Sequence, residues 1–319
     1  MIDIAVTEDI WGAPLDDLAT RWSVVRSPTA WQEPGTLAEL ASTARALVVR
    51  NRTTVDAALL AASPRLRIVA RAGVGLDNID VAAADARGVV VTVPLGANAD
   101  SVAEHTLGLA LALARRTVAL DAGCRAGEWD RTPGIELRGR TWGLLGAGAT
   151  ARACARLAGA LGMTVLAHDP YLDPADPRLV AAGIHLVPLV ELAARCDVLS
   201  CHLPATAQTT GLIDATLLAR LRPSVLFINV GRGEVVDEDD LADALESGAL
   251  AGAALDVRHQ EPPPPSRLDQ LANVIRTPHI AGITAQSQDR VLRVLAGDID
   301  AVLTGKPPMS PAPASAVSA

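Results

Sequence analysis

Arg232, Glu261 and His279 are the side chains whose types and placement best fit a chemical task. A guanidinium stays charged at every accessible pH and can grip a carboxylate with two parallel hydrogen bonds. An imidazole exchanges a proton near neutrality, and a carboxylate beside it favours its charged form. The three fall in segments 227–237, 253–262 and 277–282, each at the end of a run of apolar or β-branched residues that reads as a strand. Open parallel sheets bind ligands just beyond the carboxyl ends of their strands, so the three side chains converge on one crevice. Such a set can polarise a carbonyl acid and move one proton. His202 stands at another strand end and is the second choice as proton carrier, whereas His185 and His259 read as surface residues. Glu261 precedes four prolines, and its plainer role is that of a solvated loop carboxylate. Arg50 and Arg71, each next to a strand end, read as surface charges or as substrate contacts.

A second pattern concerns a nucleotide. The strand at 141–145 runs into Gly146-x-Gly148-x-x-Ala151, where a helix begins. Gly146 permits a tight turn, and Gly148 lets the backbone approach a pyrophosphate placed at the helix N-terminus. Alone, this pattern is often no more than a structural turn. Here the next strand ends at Asp169, about 20 residues on, where a carboxylate accepts hydrogen bonds from the ribose hydroxyls of a dinucleotide. The same carboxylate repels a 2′-phosphate, and Pro170 and Tyr171 supply no compensating charge.

The elements that must position these groups alternate along the chain. Strand-like runs at 2–7, 46–49, 68–70 and 89–91 form one series, and those at 141–145, 164–168, 198–201, 225–229, 251–255 and 273–276 form another. Strands alternating with Ala/Leu-rich helical stretches predict βαβ units and parallel sheets. A long helix is expected over 101–116 between the two series, capped by Asp100 or Ser101, and another over 285–303. With one Phe, one Tyr and five Trp, the cores must be built from aliphatic residues, and stacking platforms for single-stranded nucleic acid are lacking. A net charge of −8 gives no reason to expect nucleic acid or an anionic membrane as partner. The four cysteines, 124, 154, 196 and 201, show no metal-like spacing, so no metal site is expected. The start of the chain reads as a strand rather than a leader, and no apolar run reaches the ~18 residues that a membrane span needs. A cytoplasmic protein is the resulting expectation.

Taken together, these segments resemble the D-isomer-specific 2-hydroxyacid dehydrogenase family, in particular its phosphoglycerate dehydrogenase-like members without a C-terminal regulatory domain. The likeness runs over about residues 45–305 and also takes in 48–55, 71–80, and Asn98 leading into 101–105. It implies a two-domain α/β fold, a Rossmann NAD-binding domain plus a discontinuous flavodoxin-like substrate domain, with a cleft between them. The substrate domain would comprise residues 1–98 and a returning helix at 285–305, and the NAD domain 99–284; the Pro/Ser/Ala-rich segment 306–319, without apolar periodicity, reads as a disordered tail.

The resemblance implies an oxidoreductase acting on CH–OH donors, with NAD as cofactor and C2 of a small 2-hydroxy or 2-keto acid as the reacting centre. Arg232 would bind the substrate carboxylate and carbonyl, and His279 would donate the proton in ketone reduction, held by Glu261. Ala149 and Thr150 would present backbone amides to the pyrophosphate, and Asp256 would sit against the nicotinamide carboxamide. His202, Leu203, Val230, Gly231, Ser101 and Val102 would complete the cofactor site. Val74 and Gly75 would offer N–H groups to the substrate carboxylate, with Asn98, Arg50 and Arg71 on the substrate side. Arg50 and Arg71 would then be surplus cations suited to a second anionic group, as in 3-phosphoglycerate. A homodimer with the 101–116 region at its interface is also implied.

Two departures stand out. Ala149-Thr150 replaces a longer residue and an Ile, and Leu203 replaces a frequent Thr. Neither removes a catalytic group. A non-catalytic NAD(H)-sensing protein of the same fold is the rival reading from another class, disfavoured by the complete Arg232, Glu261 and His279 set. Enzymes of the formate dehydrogenase or adenosylhomocysteine type are disfavoured by the motifs at 71–80.

Overall fold

The computed structural model describes residues 2–312. The chain separates into two compact units, one made of residues up to Asn98 with those from Ala285 onward, the other of Ala99–Thr284.

In the first unit, strands β1 (Ile4–Val6), β2 (Val24–Arg26), β3 (Ala46–Val49), β4 (Ile68–Arg71) and β5 (Val90–Thr92) form a sheet in the order β2-β1-β3-β4-β5. All four pairings are parallel, and the order is the flavodoxin-like one. β1, β3 and β4 are buried at every residue because helices cover both faces, which is why they read as unbroken apolar runs. Alternate side chains serve two cores. Ile4, Val6, Val48 and Ile68 meet Val291, Leu295 and Ile299 of the helix Ala285–Leu303, whereas Ala5, Leu47 and Val69 meet Leu40 and Leu60 on the other face.

The expected structureless tail gives way over 306–312. There the Val93 N–H donates to Ser310 O at 3.0 Å and the Ala312 N–H to Val91 O at 2.8 Å, with an antiparallel bridge between Thr92 and Pro311. The segment lacks apolar periodicity because it is held by backbone bonds at a sheet edge, where a proline is tolerated. Residues 313–319 lie outside the described residues.

In the second unit, strands β6 (Thr141–Leu145), β7 (Thr164–His168), β8 (Ile184–Leu186), β9 (Val198–Cys201), β10 (Leu226–Asn229), β11 (Gly252–Leu255) and β12 (Val274–Arg276) form a parallel sheet in the order β12-β11-β10-β9-β6-β7-β8. The order reverses between β6 and β9, the switch point at which a Rossmann sheet opens for a ligand. The helix Ala149–Ala160 follows β6 and packs on Ala99–Ala114. Its buried Ala151, Ala155 and Ala158 let the two helices approach closely. The Ala99–Ala114 helix starts before the expected position, so Asp100 and Ser101 lie inside its first turn rather than capping it. Ser101 Oγ instead hydrogen-bonds Thr284 Oγ1 at 2.8 Å.

The two strands absent from the sequence reading, β2 and β8, are short, half-exposed edge strands with no apolar run to betray them. Among the described residues no helix is long and apolar enough to cross a membrane.

Candidate active site

The glycine turn after β6 shows two glycines present for different reasons. Gly146 has φ +83°, a left-handed conformation that glycine adopts without steric cost. A Cβ there would also come within 3.1 Å of Leu203 Cδ2 at the end of β9. Gly148 has φ −66° and ψ −169°, open to any residue, and no atom lies within 4 Å of the place its Cβ would take. The protein itself therefore does not demand glycine at 148, whereas a ligand drawn up to the backbone would. The helix that begins at Ala149 has no side-chain cap, and its first intrahelical bond comes from Arg152 N–H to Gly148 O. The N–H groups of Ala149, Thr150 and Ala151 are thus left for an anion, which the helix dipole also favours. Asp169, just after β7, accepts the Ala147 N–H at 3.0 Å through Oδ2 and the Tyr171 N–H at 3.1 Å through Oδ1. Lone pairs remain on both oxygens for ribose hydroxyls. These residues fit a dinucleotide.

His202 and Leu203 after β9 meet Val230 and Gly231 after β10. A Cβ on Gly231 would fall 2.6 Å from Leu203 O, so the two backbones touch. His202 Nε2 pairs with Ser200 Oγ at 3.0 Å, which also accepts the Trp142 indole N–H at 2.8 Å. Burial pushes the His202 imidazole down to about 4, and its Nδ1 is enclosed without a partner. A ring held neutral at physiological pH is no proton donor, which removes His202 as the alternative acid. Burial likewise pushes the Cys154, Cys196 and Cys201 thiols up to about 12, so none is a ready thiolate.

His279 and Glu261 do come together. His279 Nδ1 lies 2.7 Å from Glu261 Oε2, and Glu261 Oε1 accepts the Arg258 N–H at 3.1 Å. Burial works to raise the Glu261 carboxyl, but the hydrogen bond and charge of His279, the Arg258 N–H and the charge of Arg232 outweigh it and hold it below the ordinary value. Both side chains stay partly exposed, at 45% for His279 and 35% for Glu261, so His279 Nε2 is the nitrogen left to meet a substrate. Arg232 Nη1 donates to Gly231 O at 2.9 Å, placing the guanidinium over the turn that ends β10.

His279 has φ +55°, a strained conformation for a residue with a Cβ. Asp256 holds it there. The His279 N–H donates to Asp256 O at 2.8 Å, and the Asp256 carboxylate accepts from Thr277 Oγ1 at 2.6 Å, Ile280 N–H at 2.9 Å and Ala281 N–H at 2.8 Å. His105 joins this network through Thr277 Oγ1 at 3.1 Å. Asp256, expected against a nicotinamide, is 1% exposed, and its carboxylate also anchors the His279 loop.

In the first unit, the Glu8 carboxylate is the organising group. It accepts the backbone N–H groups of Arg50, Asn51, Arg52 and Thr53 at 2.6 to 3.3 Å. The Arg50 guanidinium reaches Gln288 Oε1 at 2.5 Å, and Asn78 Nδ2 donates to Arg50 O and Thr53 O. Arg71, 8% exposed, lays its guanidinium over Gly73, where a Cβ would meet Nη1 at 1.8 Å. Val74 and Gly75 continue that loop, half-buried. The Asn98 Oδ1 atom is buried with no hydrogen-bond partner. Sequence reasoning missed Glu8 and Gln288 and gave no role to Thr277 and His105 within the segments it singled out, because each acts through a neighbour.

Residues 107–281 match the NAD-binding domain of the D-isomer specific 2-hydroxyacid dehydrogenases. The chain belongs to that family. NAD is its cofactor. The D-3-phosphoglycerate dehydrogenase of Mycobacterium tuberculosis is 47% identical over 265 residues, 82% of this chain and 50% of that protein. The chain thus spans about half the length of the curated phosphoglycerate dehydrogenases of that group. The (S)-sulfolactate dehydrogenase of Chromohalobacter salexigens is 41% identical over 294 residues, 91% of this chain and 95% of that protein. A solved protein from Thermus thermophilus superposes with a TM-score of 0.90 at 32% identity, covering 97% of this chain and 99% of that one.

Proposed function

We propose that this protein is an NAD-dependent dehydrogenase that transfers a hydride between NAD(H) and C2 of a small 2-hydroxy or 2-keto acid. The observation that carries the reading is the 2.7 Å contact between His279 and Glu261 beside the Arg232 turn, in a unit whose glycine turn fits a dinucleotide. Bound NADH supplies the hydride to C2 in one direction, and NAD accepts it in the other. Arg232 grips the substrate carboxylate and polarises the C2 carbonyl. His279, protonated and oriented by Glu261, gives its Nε2 proton to the carbonyl oxygen as that oxygen gains charge, and takes it back in alcohol oxidation. Asp256 fixes the loop from which His279 projects.

The substrate we propose carries a second anionic group, met by Arg50 and Arg71. Supporting this are the half-buried Arg50 and the buried Arg71 of the first unit and the names of two relatives, a phosphoglycerate and a sulfolactate dehydrogenase. In the same reading the protein is a homodimer, supported by the helix Thr117–Arg125, which buries none of its residues within the chain. The deciding experiment is NADH oxidation by the purified protein across a panel of 2-keto acids. Turnover of at least one supports the proposal. NADH binding without turnover of any would favour a sensing protein instead.

A further inference from the structure

Arg258 lies between Asp256 and Glu261 and is 7% exposed, a rare state for a guanidinium unless it is paired. Its Nε and Nη2 donate to Glu238 Oε1 at 2.9 Å and Oε2 at 2.7 Å, the two-pronged geometry that fixes direction as well as distance. Nη2 also donates to Ser266 Oγ at 3.1 Å, and Nη1 lies 3.7 Å from Asp269 Oδ1. One side chain thus ties the start of the helix Glu238–Glu246 to the far end of the proline run that follows Glu261.

Glu238 holds the backbone as well, since its Oε1 accepts the His259 N–H at 2.9 Å. The peptide clamped in this way supports both working groups. Its Arg258 N–H donates to Glu261 Oε1. On its other side packs Gly233, next to Arg232, so closely that a Cβ would fall 1.9 Å from the Arg258 carbonyl carbon and 2.4 Å from His259 N. An ion pair between a buried Arg258 and a half-buried Glu238 adds little net stability over well-packed apolar groups. What the ion pair adds is a fixed orientation.

We infer that the Arg258–Glu238 pair is a positioning device that sets Glu261 against His279 and keeps both in register with Arg232. This rests on the dehydrogenase reading above. The charged and titratable groups around the Glu261–His279 contact are Arg232, the Arg258–Glu238 pair with His259 and Asp269, and, on the His279 side, Asp256 with His105. Weakening the clamp lets Glu261 drift from His279 and removes the carboxylate that favours the protonated ring.

The test is Glu238→Gln, which keeps the shape and removes the charge. For ketone reduction, the high-pH limb of the kcat profile is expected to move about one unit lower, and kcat/KM to fall about tenfold, with the NADH dissociation constant changed less than about twofold. Glu238→Asp, which keeps the charge at shorter reach, should recover part of the loss. A limb that stays in place while only thermal stability or yield falls makes the pair structural and overturns the inference. If Glu238→Gln does not fold, Glu238→Asp is judged on the same limb, and an unmoved limb again overturns it. The NMR titration of the His279 ring, identified by its loss in His279→Asn, needs no turnover and should show the same downward displacement. A wild-type protein that turns over no 2-keto acid would sink the dehydrogenase reading, and the NMR titration would still decide the positioning.

Discussion

Ala147 donates its backbone N–H to Asp169 Oδ2 at 3.0 Å, so the acid that ends β7 is pinned to the glycine turn that ends β6. A carboxylate fixed there before any ligand arrives loses little entropy on binding a ribose. NAD(H) is therefore expected to be preferred over NADP(H), because a 2′-phosphate would meet that charge. Asp169→Ala should weaken NADH by tenfold or more, through the loss of charge-assisted bonds of about 1.5–3 kcal/mol, and should narrow the preference. Steady-state kcat/KM with both cofactors is the measurement, and equal wild-type efficiency contradicts the expectation.

The His279–Glu261 contact predicts a pH dependence of definite sign. Glu261 titrates below the ordinary carboxylate range, so it is charged throughout the neutral region and can hold the Nδ1–H of His279 while Nε2 carries the transferable proton. Ketone reduction consumes that proton, so its rate should fall as pH rises, and alcohol oxidation should show the opposite trend. Glu261→Gln should bring the fall in ketone reduction at lower pH. His279→Ala should lose about 10²–10⁴-fold in turnover with NADH affinity nearly unchanged. Near-wild-type turnover in that variant would show that another group carries the proton.

Two glycines should respond in opposite ways to alanine. Gly148→Ala meets no protein atom within 4 Å, so its unfolding free energy should stay within about 0.5 kcal/mol of wild type while NADH binding weakens markedly. Gly233→Ala would place a Cβ 1.9 Å from the Arg258 backbone, where no side-chain rotation relieves the clash. A loss of about 3 kcal/mol or more is expected. Denaturant unfolding and NADH titration of both variants give the comparison.

Glu8 is 4% exposed and accepts four consecutive backbone N–H groups. Glu8→Ala leaves those donors without their acceptor and should cost about 3 kcal/mol or more, read by denaturant unfolding. An unaltered unfolding midpoint would mean that water replaces the carboxylate at no cost.

Arg50 and Arg71 should set substrate preference. Arg50→Ala and Arg71→Ala are each expected to lower kcat/KM for phosphohydroxypyruvate and sulfopyruvate by about tenfold or more, while affecting pyruvate much less. An unchanged ratio among the three substrates would remove the second anionic group from the proposal.

Much of the fold was legible before any coordinates. β3, β4, β9, β10 and β11 are buried along their length and β6 at all but its first residue, and burial on both faces writes itself as a largely apolar run. β2 and β8 are not buried in that way and left no such trace. The ordered stretch at 306–312 escaped notice for a related reason, since backbone bonds to an edge strand impose no side-chain pattern.

The chemistry divides along the same line. Gly146, Gly148, Asp169, Arg232, Glu261 and His279 could be singled out from the sequence because each is tied to a strand end and to a residue type that its task requires. Tertiary structure alone decided which partner each of them takes. Local sequence ranks His279 only above His202, since both stand at strand ends, yet enclosure keeps one ring neutral and a carboxylate 2.7 Å away serves the other. Nothing local marks Glu8 or Glu238 among so many acids, yet one collects four backbone donors and the other pairs with a buried arginine. Hydrogen bonding and desolvation act over a few ångströms between residues 20 to 45 positions apart in the chain. Such distances exist only once the strands have been brought side by side.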